Sequence, residues 1–373
     1  VHRRCHHGRR RPRSGARSDC GESGLTCSVS LLVPGLAADF TGSPAGGLPA
    51  APALSLWLRR AVASPFAATW TEQAIATLCG IAFTDTPPVA ALTYLEDFGE
   101  LPSGYCLRAD PVHLRADTSG LVLFDSAAFA LTDAESRALS STLTAYLAEA
   151  GWTLRHRHPC RWYLLGEQAQ DLRAAPLPLA RAAPVSATPF RGVDAPTWMT
   201  RLNELQMLMH THPVNRARAA TGQVAVNSLW LWGGGAPQRG ADGAVKRVVA
   251  DNPFARGSAR YQCIPLSPLQ AGAVPATAAL ATGERLLVVL EACRDAAAYE
   301  DIRAWQAGVQ RLEDDWFAAL VQSLKTGRLD SLELYPMNGR CYRLSRRQLL
   351  AFWKGRGDYR SERKFGDPAA KRV

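Results

Sequence analysis

The sequence predicts an α/β protein, a sheet domain flanked by helices with an inserted α+β cap domain. Three observations predict it. Continuously apolar runs such as "VSLLV" (29–33) and the centre of "ERLLVVLEA" (Glu284–Ala292) have the texture of parallel strands covered on both faces. Stretches of helical period alternate with these runs. From about Pro102 to Gly166 the pattern switches to alternating strands around one capped helix, the order of a compact α+β unit.

Taken in order, "VSLLV" closes on Pro34-Gly35, a strand followed by a turn. Helical patterns follow at Ala53–Ala63 and Thr71–Gly80, the latter with Thr71 as N-cap. "YCLRADPVHLRADTSGLVLFD" alternates around a Thr-Ser-Gly turn. "LTDAESRALSSTLTAYLAEAG" is an amphipathic helix with Thr132 and Glu135 at capping-box spacing and Gly151 as its stop. "WTLRHRH" and "RWYLLG" are strands that close the insert. Residues 167–196, rich in Ala and Pro, read as a connection. Helices at Thr197–His210 and Pro213–Thr221 lead to the strand "NSLWLW", which runs into Gly233–Gly235. A loop-rich stretch to about 280 precedes the "ERLLVVLEA" strand, a long helix over Ile302–Lys325, the strand "SLELYP" and a last helix over Ser345–Trp353. The expected division is 29–100 with 197–353 for the sheet domain and 101–196 for the insert and its linker. No internal repeat is present.

At 373 residues and 47% hydrophobic content the chain fills a substantial core and is not a disordered protein. Its net charge of +10 is concentrated at the ends. Residues 1–25 carry seven Arg against Asp19 and Glu22, and residues 354–373 carry seven Lys/Arg against three acids, which leaves +1 for residues 26–353. That near-neutral body argues against a basic groove running through the fold, and so against nucleic acid as partner. Residues 1–28 are expected to be a disordered basic tail or a non-native extension, and 354–373 a basic C-terminal tail. Nine scattered cysteines without C-x-x-C or zinc-finger spacing read as reduced thiols of a cytoplasmic protein. No apolar run reaches membrane-spanning length. His156 and His158 alternate on a basic strand, Glu313–Asp315 read as a solvated helix face, and Trp305, Trp316 and Phe317 as core.

The stretch richest in chemistry is "MHTHPVNRARAATGQVAVNSLWLWGGG" (Met209–Gly235). Pro213 suits a helix start, and Asn215 and Arg216 lie in the first turn, where backbone amides favour an anion. Arg216 or Arg218 is suited to bidentate phosphate contact, and three glycines after a strand permit close backbone approach to a ligand. The ordinary structural roles of such residues, a core strand, a flexible loop and a surface arginine, stand beside these readings.

This stretch resembles archaeal-type cofactor-independent phosphoglycerate mutases, in which H-P-x-N-x-x-R-x-x-x-G precedes N-x-x-x-L-x-G-x-G; His212, Pro213, Asn215, Arg218, Gly222, Asn227, Leu231, Gly233 and Gly235 fit. "ADTSGLVLFDSAAFALTDAESRAL" resembles that family's inserted domain, and "LLVVLEACRDAAAYEDIRAWQAGVQRLEDDW" is similar to its later strand and helix. The resemblance covers about residues 29–350 and is strong only at 210–235. It implies an alkaline-phosphatase-like fold with a metal domain and an inserted substrate domain. It also implies two metal ions that activate a Ser or Thr nucleophile, and a phosphorylated-metabolite pocket at His212, Asn215, Arg216, Arg218, Asn227, Gly233 and Gly235.

The departures concern the metal ligands. The family's first-strand Asp-Gly falls on Pro34-Gly35, and its nucleophile segment S-D-T-A-H-L-A-L-L-G on "TEQAIATLCG", which puts Thr71 at the nucleophile, Glu72 at Asp and Ile75 at His. Its "HVEAPDEAGH" falls on "VLEACRDAAAY", and its Asp-His pair near Met337 and Asn338. No histidine occurs in residues 213–373, where the family keeps its His ligands. The expectation is therefore a protein without catalytic metal or other cofactor, with Thr71 vestigial and phosphorylated-metabolite binding retained. The alternative is an active Mn²⁺- or Mg²⁺-dependent mutase or phosphohydrolase with Asp39, Glu72, Glu291 and Asp295 around Thr71.

Overall fold

The computed structural model describes residues 27–40, 49–117, 120–181, 184–186, 189–240, 243–270, 272–278, 280–281 and 283–350. Most of both basic ends, Cys5, Cys20 and the last residues of the expected final helix lie outside these. A seven-stranded mixed sheet organises the chain. Its centre is the strand Ser28–Leu32, parallel to Arg285–Val289 on one side and to Ser331–Tyr335 on the other. Arg247–Val249 and Leu266–Ser267 extend the parallel half, while Arg340–Ser345 and Val62–Pro65 add antiparallel strands at the other edge. Cys27 and Ser28, expected in a tail, are tied into this sheet by Ser28 pairing with Arg285 and Ser331.

Apart from Arg285 the central strands are buried along their length, as continuous apolar runs require. Period-two alternation splits them into two cores. Val29, Leu31, Leu286, Val288, Leu332 and Leu334 face one layer, with Trp57, Trp305 and Phe317 from the helices Pro52–Arg60, Ile302–Leu312 and the turn Glu313–Phe317. Leu32, Leu287, Val289 and Tyr335 face the other, with Ile75 and Phe254 from the helices Thr71–Cys79 and Pro253–Tyr261. One carboxylate interrupts the apolar centre. Glu333 accepts from Ser30 Oγ (3.0 Å) and Tyr335 OH (2.8 Å) and lies 3.4 Å from Arg285, so its burial is compensated.

The second unit is an antiparallel sheet. Tyr105–Asp117 pairs with Arg161–Gly166, with Gly120–Phe124 and with Ser228–Trp232. Thr132 and Glu135 form the expected capping box on the helix Asp133–Glu149. That helix and Ala195–His210 close a core around Trp162, Trp198 and Leu139. The strand Ser228–Trp232 therefore belongs with the inserted sheet, not with the sheet domain that the sequence division gave it. Its helical neighbours Ala195–His210 and Pro213–Ala220 pack there too. Continuous apolar sequence marks a buried strand without saying which sheet accepts it.

Other expectations are corrected by particular contacts. The helix Thr71–Cys79 is preceded by Trp70 as N-cap, and Gln73 Oε1 accepts from Thr69 N instead (2.9 Å), so Thr71 is the first helical residue. Glu313 is not on a solvated face. It is 3% exposed and accepts from Ala53 N (2.7 Å) and Leu54 N (3.1 Å), capping a helix that has no side-chain cap of its own. The long helix widens at this point into one i→i+5 turn, Glu313–Phe317. The loop-rich stretch before residue 280 contains the strand Arg247–Val249 and the helix Pro253–Tyr261. The seven described cysteines are free thiols, and no helix among the described residues is long and apolar enough to cross a membrane.

Gly257 lets the helices Pro253–Tyr261 and Val89–Phe98 touch: a Cβ there would lie 1.9 Å from the Leu92 carbonyl oxygen. Gly257→Ala is expected to lower unfolding stability by ~3 kcal/mol, read by urea denaturation. A change below ~0.5 kcal/mol would show that the two helices are not held in this contact.

Candidate functional site

Ligands of parallel α/β sheets gather at the carboxyl ends of the strands. Here those ends carry Glu291, two residues past Arg285–Val289, and Asn252, three past Arg247–Val249. Asn252 Nδ2 donates to Glu291 Oε1 (3.1 Å), and Arg294 NH1 donates to the same oxygen. Arg294 Nε also donates to Asp295 Oδ1 (2.8 Å). Arg181, from the connection, donates to Asp295 Oδ1 (2.7 Å) and lies 3.5 Å from Asp125 Oδ2 of the insert. Tyr299 OH completes the link by donating to Asp125 Oδ1 (2.7 Å). Burial acts to raise the Asp295 carboxyl, but the hydrogen bond and charge of Arg294, with Arg181, outweigh it and hold the group below its ordinary range.

Glu72 is the exception in this network. It occupies the second position of its helix, is 8% exposed, and its Oε2 is buried without a hydrogen-bond partner. Burial pushes its pKa up to about 7, with the charge of Glu291 adding to the rise and its own backbone amide, Arg294 and Arg108 opposing it. Thr71 beside it is buried. Arg108 belongs to a second buried pair. Its Nε and NH2 donate to Asp110 Oδ1 (3.1 and 2.6 Å), Trp232 Nε1 donates to Asp110 Oδ2 (2.7 Å), and the guanidinium lies over the rings of Tyr163 and Trp232.

These residues do not fit a pair of divalent ions. Such a centre needs several carboxylates or imidazoles converging with uncompensated charge. Glu291 and Asp295 are instead engaged by Arg294, and Asp295 by Arg181 as well. Among the described residues no three His, Cys, Asp or Glu side chains are arranged to hold a metal. Asp39, expected beside Thr71, is exposed after the first strand. Tyr299, close to where the resemblance calls for a histidine, is committed to Asp125.

The motif that resembles phosphoglycerate mutase is directed inward. His212 Nδ1 accepts from Val214 N (3.2 Å), capping the helix Pro213–Ala220, and its Nε2 meets Thr142 Oγ1 (3.1 Å). Burial holds this imidazole below its usual pKa. Asn215 Nδ2 donates to the carbonyls of Met209 (2.8 Å) and Val226 (2.7 Å), and its Oδ1 accepts from Val226 N. Arg218, 3% exposed, donates to Val224 O, Glu135 Oε1 and Ala130 O. Asn227 brackets Leu114 through both backbone groups (2.7 and 2.8 Å). Arg216 is exposed on the same helix. The structure thus gives four of these side chains internal partners and brings none of the five to the cleft described next.

That cleft, of about 600 Å³, opens between the two units. Gly233, Gly234 and Gly235 form one wall. Trp70, Phe83, Asp85, Tyr105, Asp171, Arg173 and Trp232 line the rest. The glycines are required: Gly233 and Gly235 have φ of +69° and +131°, and a Cβ on Gly234 would lie 2.4 Å from Tyr105 OH. Sequence reading found this loop but missed Arg173, Arg181 and Arg294. Arg294 stands in the carboxylate run "VLEACRDAAAY", where a cation among acids was the available signal.

The chain was compared with known proteins. No family model matches it, and no curated protein matches it. Among solved structures it is similar to the PH0037 protein from Pyrococcus horikoshii, at a TM-score of 0.52 and 12% identity over 86% of this chain and 88% of that one. At that identity the likeness shows a shared fold. A cofactor-independent phosphoglycerate mutase from Thermoplasma acidophilum also matches, at a TM-score of 0.41 and 14% identity over 86% of this chain and 90% of that one.

Two outcomes follow from these contacts. The folded state holds the Glu72 carboxyl near 7 against an ordinary 4.5, so ionising it costs stability. The cost is absent below 4.5, grows as pH rises and is complete above about 7, where it reaches ~3 kcal/mol. Glu72→Gln should therefore be more stable than the parent at about pH 8, with the gap closing toward about pH 4.5 in urea titrations. A gap that widens on acidification contradicts the assignment. Arg218→Ala should cost ~3 kcal/mol in urea denaturation, because it leaves the buried acceptors Val224 O, Glu135 Oε1 and Ala130 O unpaired.

Proposed function

We propose that this chain is a phosphoglycerate-mutase-like protein of the alkaline phosphatase superfamily that has given up metal-dependent phosphoryl transfer and acts by binding. One observation carries the reading. Arg294 places a guanidinium between Glu291 and Asp295 at the carboxyl ends of the parallel strands, where the resemblance calls for metal ligands. A fixed cation there neutralises the carboxylates as an ion would, but it offers no open coordination position and no activated nucleophile. The inserted unit is read as the cap, and the cleft beside Gly233–Gly235 as the ligand site.

The ligand is proposed to be a small phosphorylated metabolite. Arg173, which shares its charge with Asp171 Oδ1 at 3.2 Å, and the glycine loop are read as the cleft's anion-binding side, and Asp85 and Asp171 limit how much negative charge it accepts. His212, Asn215, Arg218 and Asn227 support the cleft from behind by fixing the strand that leads into the glycine loop.

A second reading has its own observation. Thr71 stands beside Glu72, whose Oε2 has no hydrogen-bond partner, and a Mn²⁺- or Mg²⁺-dependent mutase or phosphohydrolase would use this pair. Elemental analysis of protein purified without chelator, with mutase turnover assayed on the same sample under added Mn²⁺, separates the two. The expected result is neither bound metal nor turnover. Near-stoichiometric metal with turnover that Thr71→Ala removes would establish the enzyme. Calorimetric titration with 3-phosphoglycerate tests the cleft: binding that Arg173→Ala weakens is expected, and no heat at millimolar ligand would sink the phosphate assignment.

A further inference from the structure

The opposite end of the sheet carries a second cavity, of about 910 Å³. Arg60, Lys325, Arg343, Arg346 and Arg347 line it, with Asp330 as the one acid in its wall among the described residues. Asp330 immediately precedes the strand Ser331–Tyr335, which places the cavity at the amino ends of the parallel strands, away from Glu72 and Arg294. The near-neutral charge of residues 26–353 had argued against a basic groove. The structure corrects that expectation locally, because the body's acids lie elsewhere and five cations converge here.

Ordinary structural roles account for part of this cluster. Arg60 ends the helix Pro52–Arg60 and Lys325 lies in the last turn of Ala318–Thr326, where cations complement the helix dipole. Arg343 has a weak partner in Glu333 at 4.0 Å, itself bonded by Ser30 and Tyr335. Arg346 and Arg347 are exposed, and Arg60 Nε is buried with no hydrogen-bond partner. The charge of these three is unaccounted for within the described chain.

Both ends of the described chain meet at this place. Cys27 N donates to Asp330 Oδ2 (2.8 Å), Asp330 N donates to Cys27 O (2.9 Å), and Leu350 lines the cavity. In sequence, the segments carrying +5 and +4 of the chain's +10 lie beyond these two ends of the described chain. Neither has a net negative charge that could neutralise the groove.

We propose that this groove binds the phosphate backbone of a nucleic-acid strand. Cations along a concave wall suit successive phosphates, contacts that carry no base readout, and among the described residues no aromatic side chain lines the cavity. A flat anionic bilayer would meet the rim but not the recessed Arg60.

The test is fluorescence anisotropy of the full chain with a labelled oligodeoxythymidylate and with a labelled random duplex, across a salt series. The parent should bind with a steep negative salt slope. The variant Arg343→Gln/Arg346→Gln/Arg347→Gln should bind about tenfold or more weakly, with the single-strand slope shallower by about 2. All three side chains are exposed, thermal unfolding checks the fold, and the single variants Arg346→Gln and Arg347→Gln carry the test if the triple variant misfolds. Arg216→Gln, on the inserted unit, should leave binding unchanged. Unaltered affinity and slope in the variants would overturn the proposal by assigning the binding to the terminal segments. Binding to phosphatidylserine vesicles with none to either oligonucleotide would overturn it in favour of a membrane surface.

Discussion

Carboxylates gathered at the carboxyl ends of a parallel sheet must be neutralised, and in this protein the Arg294 guanidinium does it. Glu291 and Asp295 follow a strand whose residues Leu286 to Val289 are buried in the two apolar cores, so their charge cannot be spread into the core. A divalent ion would satisfy them at the cost of ligands that must stay ionised and open. Arg294 satisfies them with fixed donors, and Arg181 carries the network across to Asp125 and Tyr299. The two units are thereby fastened by these charges. Glu72 has no donor at Oε2, and burial raises its pKa.

Four polar side chains of the motif at 212–227 close internal hydrogen-bond requirements: a helix N-terminus for His212, a loop backbone for Asn215, a capping box and two carbonyls for Arg218, a strand edge for Asn227. Removing any of them leaves a buried donor or acceptor unpaired, which costs more than the bond itself contributes. A pattern that reads as a phosphate site is here the frame that delivers the strand Ser228–Trp232 to the glycine loop.

How far the structure was legible depends on the range of the forces involved. The strands Ser28–Leu32 and Arg285–Val289 were visible because burial on both faces writes itself into consecutive residues, and the Thr132–Glu135 box because it closes within four. Sheet membership was not visible for Ser228–Trp232, since its partner lies more than a hundred residues away at Val112. Glu313 looked solvated because the helix it caps begins at Pro52, far off in sequence. Arg294 was in plain view among acids, but its meaning required knowing that Glu291 and Asp295 turn toward it.

The molecule is electrostatically divided along the strand direction. At the carboxyl ends Glu291, Asp295 and Asp125 are matched by Arg294 and Arg181, with Glu72 left over. At the amino ends Arg60, Lys325, Arg343, Arg346 and Arg347 face one acid among the described residues. Charges separated by more than about 10 Å interact weakly at physiological salt, so the two ends are tuned independently. The nearly neutral body therefore carries one local cationic surface among its described residues, at the amino ends of the parallel strands.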